Sequence, residues 1–282
     1  MRVLLTGATG QVGKALRHSV PDNIELYPFD RTQLDIANET MVRRIVDRVR
    51  PQVILNAAAY THVDGAEEEP DLAAAVNTQA VELLVKAASA IDAKLVHVST
   101  DFVFDGEAGR PYRTADKTRP KNVYGETKRA GERALRSSDL LVRTAWVYDN
   151  SGRNFLTTML RLFRERDKVS VVCDQIGTPT TASDLSSALW RLIEANVGGT
   201  QHFTNSGVAS WYDFAVAIAE EARVAGLLDH AVDIVPIPSS AYPTLAKRPH
   251  FSVLDCHETY RLIGVPASHW HAALRAALKE IK

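Results

Sequence analysis

The chain has 282 residues, 45% of them hydrophobic, with 33 basic and 34 acidic side chains and a formal net charge of -1. That length can bury one large core or two modest ones without covalent staples. The balanced charge favours neither nucleic acid nor an anionic membrane, and the two cysteines, Cys173 and Cys256, have neither disulfide-framework nor zinc-site spacing.

At the amino terminus, MRVLLTGATG ends its apolar run after Leu5, too early for a signal peptide. No stretch approaches the roughly 18 consecutive apolar residues of a membrane span. These features predict a soluble cytoplasmic protein with no nucleic-acid or membrane partner.

Short apolar runs alternate with longer amphipathic ones. Val3–Gly7, Ile24–Asp30, Gln52–Ala59 and Lys94–Thr100 read as strands, bounded by turn or polar residues. Between them, Met41, Val42, Ile45, Val46 and Val49 recur at helical spacing, and the alanine-rich stretch Leu72–Ile91 reads as another helix. Leu140–Tyr148, Val169–Asp174 and Thr200–Asn205 continue the alternation. Strands apolar along their length need covering layers on both faces, so the pattern predicts an α/β fold with a parallel, doubly wound sheet.

After about Asn150, proline-bearing loops such as GTPTTASD, IVPIPSSAYPT and KRPHFS take over; proline interrupts sheet and helix, and these read as cleft surfaces. The expected division is a nucleotide-binding part over 1–150 and a smaller, mainly substrate-binding part over 151–282, interleaved with the last strands.

GATGQVG, from Gly7 through Gly10 to Gly13, follows the first strand and opens a helix. There, glycines allow a tight turn and a close backbone approach to a pyrophosphate at the helix N-terminus. Its GxxGxxG spacing differs from GxGxxG, and a structural turn without ligand is the alternative. Asp30 ends the second strand, where an acid can bond an adenosine ribose hydroxyl. Arg31 follows and can neutralise a ribose 2'-phosphate, which leaves NADH and NADPH both open. Asp35 and Ile36 in the next loop either meet the adenine or belong to a helix cap. The small residues of NAAAYT allow close approach of a cofactor, or simply pack.

The fourth strand delivers Ser99, Thr100 and Asp101 to the carboxyl edge of the sheet. Tyr124 and Lys128 follow at i and i+4 on one helix face, after Pro120 and Asn122. A nearby ammonium lowers a phenol's pKa, which makes Tyr124 a candidate proton donor to an alkoxide, with Thr100 bonding the same oxygen. Such a pair occurs by chance on many helices. Here it follows a cofactor turn in the expected order.

Together, GATGQVG, STD and YGETK resemble the extended short-chain dehydrogenase/reductase superfamily. NAAAYTHVDGAEEEP, STDFVFDG, NVYGETKRAGE, VRTAWVY, NFLTTMLRL, DQIGTPT and AYPTLAKRPHFSVLD resemble, in order, the blocks of the dTDP-4-dehydrorhamnose reductase family. The resemblance covers nearly the whole chain and implies a Rossmann-type fold. It also implies hydride transfer from NADPH or NADH to C4 of dTDP-4-dehydro-L-rhamnose, serving polysaccharide biosynthesis. On this resemblance the catalytic residues are Thr100, Tyr124 and Lys128. Gly10, Gln11, Val12, Asp30, Asp35, Ile36, Ala58, Ala59, Tyr60 and Lys128 hold the cofactor. Thr100, Asp101 and Trp146 contact the sugar nucleotide.

Trp146 can stack on sugar or base, or sit in the core. Arg248, with Lys247, supplies cations for a diphosphate, against the alternative of solvated surface charge. Asn154 and Gln175 are polar residues of matched blocks without an assigned role. Where some family members carry a glutamate after the glycine loop and use acids to hold magnesium at a dimer contact, this chain has Lys14 and Ala15. An ammonium there opposes a hard cation, so no metal and a monomer or weak homodimer are expected. Two rival readings remain: an NAD(P)-binding regulatory protein without turnover, which the intact trio opposes, and a reductase or epimerase of another nucleotide sugar.

Overall fold

A computed structural model describes residues 1–281. Six strands form the central sheet: β1 (Arg2–Thr6), β2 (Glu25–Phe29), β3 (Val53–Asn56), β4 (Lys94–Thr100), β5 (Leu140–Thr144) and β10 (Gly199–His202). All neighbours pair in parallel, in the order β10-β5-β4-β3-β1-β2. The chain steps outward from β1 to β2, then crosses back to β3, so the winding reverses between β1 and β3. Such a switch point opens a crevice at the carboxyl ends of the strands.

Alternate side chains of each strand enter opposite layers. Val3 and Leu5 of β1 pack with Val96 and Val142 against α1 (Gln11–His18) and α8 (Ala182–Glu194). Leu4, between them, joins Ile54 and Leu95 against α2 (Glu39–Val49) and α5 (Ala80–Ala90). Leu4 is fully buried, and its truncation to alanine costs about 2–5 kcal/mol. The two edge strands are the exceptions: β2 exposes Glu25 and Pro28, and β10 exposes Gly199.

The expected helix over Leu72–Ile91 is broken into α4 (Pro70–Ala74), a π segment over Ala75–Gln79 and α5. The π turn gives Asn77 the position from which its side chain clamps the Tyr60 backbone, accepting from N at 3.0 Å and donating to O at 3.1 Å. Before it lies α3 (Val63–Glu68). After β4, α6 (Val123–Glu132) starts at an Asn122 cap whose side chain accepts from Gly125 N at 2.7 Å.

Three sequence expectations are corrected. The run Leu140–Tyr148 is not one strand: Trp146 has φ +48°, a left-handed conformation that ends β5 and sets off β6 (Val147–Tyr148). The run over 169–174 forms β7 (Lys168–Val172) outside the central sheet, because only Val169 and Val171 find a core, against α7 (Phe155–Glu165) and α9 (Trp211–Val224). Its partner is β12 (Asp233–Ile237), in a segment read as loop for its prolines; a strand with one neighbour tolerates Pro236. Short ladders join β8 (Ile176–Gly177) to β11 (Ala209–Ser210) and β6 to β9 (Thr180–Thr181). α10 (His257–Ile263) and α11 (Trp270–Lys279) complete the chain. No described helix is long and apolar enough to cross a membrane.

Candidate active site

A cleft of about 740 Å³ runs over the carboxyl ends of β1, β3, β4 and β5. At one end lies the glycine turn. Gly7 has φ +68°, and a Cβ there would stand 2.7 Å from Ala58 N; a Cβ on Gly13 would stand 2.1 Å from Gly7 O. Backbone contact excludes side chains at both positions. Gly10 differs: its nearest neighbour to an added Cβ is Gly7 O at 3.4 Å, so that methyl would enter the cleft rather than the protein. No side chain caps α1, so its first-turn amides face a space suited to an anion.

Gln11 and Val12 line the cleft, as do Arg31, Asp35 and Ile36, whereas Gly13 and Asp30 do not. Asp30 turns into its own loop. Its Oδ1 accepts from the Thr32 hydroxyl at 2.7 Å, Gln33 N at 3.0 Å and Thr32 N at 2.8 Å, and these bonds hold the carboxyl below its usual range. Asp35 accepts from Ala37 N at 3.0 Å. Ala58, Ala59 and Tyr60 form the wall beyond β3, with Tyr60 fixed by Asn77.

Thr100, Asp101, Tyr124 and Lys128 meet at the centre. The Thr100 hydroxyl donates to Asp101 Oδ1 at 3.1 Å and accepts from Phe102 N at 3.2 Å. Burial raises Asp101 to about 6, the Ser252 and Thr100 hydroxyls opposing, and its Oδ2 has no hydrogen-bond partner. Tyr124 packs edge-on against Phe102, with ring centroids 5.6 Å apart. Burial lifts its phenol to about 12; the Thr100 hydroxyl lowers it and Asp101 raises it further. Lys128, 1% exposed, donates to Val98 O at 2.8 Å, and burial drops its ammonium to about 8 against the pull of Glu132. The expectation that Lys128 depresses the Tyr124 pKa is therefore corrected: desolvation dominates both groups, and the phenol stays neutral. Ser99 turns aside to Glu132, which it meets at 2.6 Å and which pairs with Arg143 at 2.8 Å.

At the far end, Trp146 stacks on Trp211 with centroids 3.5 Å apart and planes 5° from parallel. A Cβ on Gly177 would come within 2.6 Å of the Trp146 ring, so glycine makes room for the indole. Trp146 thus lines the cleft instead of sitting in the core. Arg248 reaches the wall but forks onto Asp64 of α3 at 2.7 and 3.1 Å, so its charge is largely compensated. Lys247 is exposed and, like Gln175, lies off the wall. Asn154 is on it, bonded to Gln11, beside Arg153 and Phe155. Sequence reasoning gave no role to Arg153, Asn154, Trp211 or Asn77. Among the described residues, no three His, Cys, Asp or Glu side chains gather as a metal-ligand group.

Residues 1–282 match the family described as RmlD substrate binding domain. The chain belongs to the dTDP-4-dehydrorhamnose reductase family. It is 42% identical over 285 residues to the dTDP-4-dehydrorhamnose reductase of Aggregatibacter actinomycetemcomitans, with 97% of each chain covered. With the Escherichia coli K12 enzyme of the same name it shares 40% over 293 residues, covering 100% of this chain and 98% of that one. The crystal structure of the Bacillus anthracis family member in complex with NADP superposes with a TM-score of 0.93 at 38% identity, covering 99% of both chains. The fold that this family shares is the Rossmann-type sheet described above.

Proposed function

We propose that the chain catalyses NAD(P)H-dependent reduction of the C4 ketone of dTDP-4-dehydro-L-rhamnose to dTDP-L-rhamnose. The carrying observation is one cleft wall shared by the glycine turn and by Thr100, Tyr124 and Lys128, in a chain of this family. A dinucleotide fits because Gly10 leaves open the space a Cβ would fill, beside uncapped amides of α1.

In this reading the Gln11 and Val12 amides take the pyrophosphate, while Asp35 and Ile36 flank the adenine. Ala58, Ala59 and Tyr60 support the middle of the cofactor, and Lys128 holds the nicotinamide ribose. Arg31 on the wall suits the 2'-phosphate of NADPH, and NADH, which lacks it, serves as well; the Asp30 carboxylate is engaged within its own loop. When bound, the cofactor supplies the hydride.

Tyr124 is neutral at working pH and donates its phenolic proton to the oxygen developing at C4. The Thr100 hydroxyl swings from Asp101 to the same oxygen and steadies its charge. Asp101 Oδ2, buried without a partner, accepts from a sugar hydroxyl, and Trp146 covers the sugar or base. Arg248 meets the diphosphate with a charge tempered by Asp64.

The division into a cofactor part, 1–150, and a mainly substrate part, 151–282, belongs to the same proposal, as do a cytoplasmic location and a monomer or weak homodimer. Lys14 and Ala15 at the start of α1 oppose a magnesium-bridged dimer. Coupled turnover tests the reaction: the 4-keto sugar nucleotide is made enzymatically, NADPH or NADH is added, and the product is identified. A product of different sugar stereochemistry redirects the substrate assignment; no oxidation of either cofactor overturns the reaction.

A further inference from the structure

Beneath the reaction centre, a line of buried polar groups crosses three strands. Thr6 Oγ1 on β1 meets Asn56 Oδ1 on β3 at 2.6 Å; Asn56 Nδ2 meets His97 Nδ1 on β4 at 3.0 Å; His97 Nε2 meets Lys128 Nζ at 3.2 Å. Asn56 and His97 are fully buried and Thr6 and Lys128 nearly so, which leaves every proton position to be settled within the line.

The order of protons follows from one fixed donor. Ala58 N lies 3.2 Å from Asn56 Oδ1. A backbone amide only donates, so the oxygen of Asn56 is the atom that faces it. The NH2 group of Asn56 therefore points at His97 Nδ1, which must accept. A neutral imidazole that accepts at Nδ1 carries its hydrogen on Nε2, and that hydrogen faces Lys128.

An ammonium has three donors and no acceptor, so against Nε2–H it sets donor against donor in a dry site. A neutral amine fits: its lone pair accepts from Nε2–H, one hydrogen goes to Val98 O at 2.8 Å, and the other is left for the cleft. We propose that Asn56 and His97 form a tautomer lock which presents Nε2–H to Lys128 and so favours the neutral amine over the ammonium.

Other titratable groups around Lys128 act in different directions. Glu132, on the same helix, favours the ammonium but is engaged by Arg143 from β5 and by Ser99. Tyr124, one turn earlier on α6, is neutral, and the charge of Asp101, beyond β4, acts on that phenol. His97 is itself held neutral by burial, and any positive charge on Lys128 adds to the same effect. His97 and Asn56 are thus positioning residues: they set the proton affinity of Lys128 without reaching the cleft.

The inference takes its interest from the reading of Lys128 as part of the reaction centre, but its test needs neither cofactor nor turnover. Nitrogen-15 NMR of the histidines in the cofactor-free protein, with His97 assigned by His97→Gln, reports the tautomer. The expected result is a protonated Nε2 and a bare Nδ1; a proton on Nδ1 overturns the lock. In [13C]lysine-labelled protein, the Lys128 signal gives its titration midpoint. In His97→Gln the side-chain amide can turn its oxygen to Lys128, and the midpoint rises by about one pH unit, tenfold in proton affinity. An unchanged midpoint also overturns it. Should His97→Gln not fold, Asn56→Asp takes its place, because a carboxylate there accepts from Nδ1–H and frees Nε2 to accept from the ammonium. A tautomer that fails to reverse in that variant refutes the mechanism, whatever the midpoint does.

Discussion

Asn154 Nδ2 donates to Gln11 Oε1 across 2.9 Å, tying the cap of α7 to the first turn of α1 although 143 positions separate them. Asn154 also accepts from Thr157 N at 3.0 Å in a capping box and donates to Asp149 O at 2.8 Å. Gln11→Ala removes the tie and spares the cap. Its stability should stay within about 0.5 kcal/mol of the parent, while NADPH affinity falls about fivefold, the scale of one neutral hydrogen bond. Asn154→Ala should add a loss of about 1 kcal/mol from the cap. Urea unfolding and fluorescence titration separate the two effects.

Gly10 and Gly13 should respond differently to the same change. Gly13→Ala forces a methyl against Gly7 O and should lower the melting temperature by several degrees. Gly10→Ala meets only open cleft, so the fold should be unchanged while NADPH binding weakens at least about tenfold. Thermal melts and equilibrium titrations on both variants test the contrast. Equal destabilisation would show that the turn serves structure alone.

Tyr124→Phe keeps the ring packed against Phe102 and removes the proton. Its kcat should fall at least about 100-fold, with cofactor affinity nearly unchanged. Near-normal single-turnover rates would remove Tyr124 from the mechanism.

Lys128 gives a pH signature with a definite sign. Its folded value of about 8 lies below the ordinary 10.5, so between those values the unfolded chain holds the extra proton and stability rises with pH. Lys128→Met should abolish that component, seen as a flatter dependence of the urea midpoint from pH 8 to 10.5. In the intact enzyme, capture of NAD(P)H should weaken above about pH 8 as the ammonium loses its proton.

Asp64→Ala should remove both the fork that holds Arg248 and the anchor that accepts from Ala246 N at 3.0 Å. The loop over 239–248 would then be less well placed. KM for the sugar nucleotide should rise about tenfold, the scale of a lost charge-assisted bond, with KM for NADPH unaffected. Initial-rate measurements with each substrate varied in turn decide it.

The sheet, the glycine turn and the Tyr124–Lys128 pair were legible in the sequence because each depends on local spacing: two-residue and 3.6-residue periods, a strand–turn–helix order, and one helical turn. Asn77 left no such trace, since an asparagine in an alanine-rich helix says nothing of a π turn. Trp146 and Trp211 are 65 positions apart, and only folding brings their rings together. The Val169–Asp174 run reads as a further strand of the main sheet, but its alternation marks a strand and not its neighbour, which is β12. Asp30 was expected on the cleft wall from its strand end, yet the Thr32 and Gln33 donors two and three residues on claim its carboxylate first.

The stacked indoles of Trp146 and Trp211 also make the cleft optically self-reporting. Tryptophan emission overlaps the absorption band of a reduced nicotinamide, and both rings line the space in which one would lie. Resonance energy transfer to NADPH, lost on oxidation to NADP⁺, would follow occupancy and redox state in a single emission trace without any attached dye.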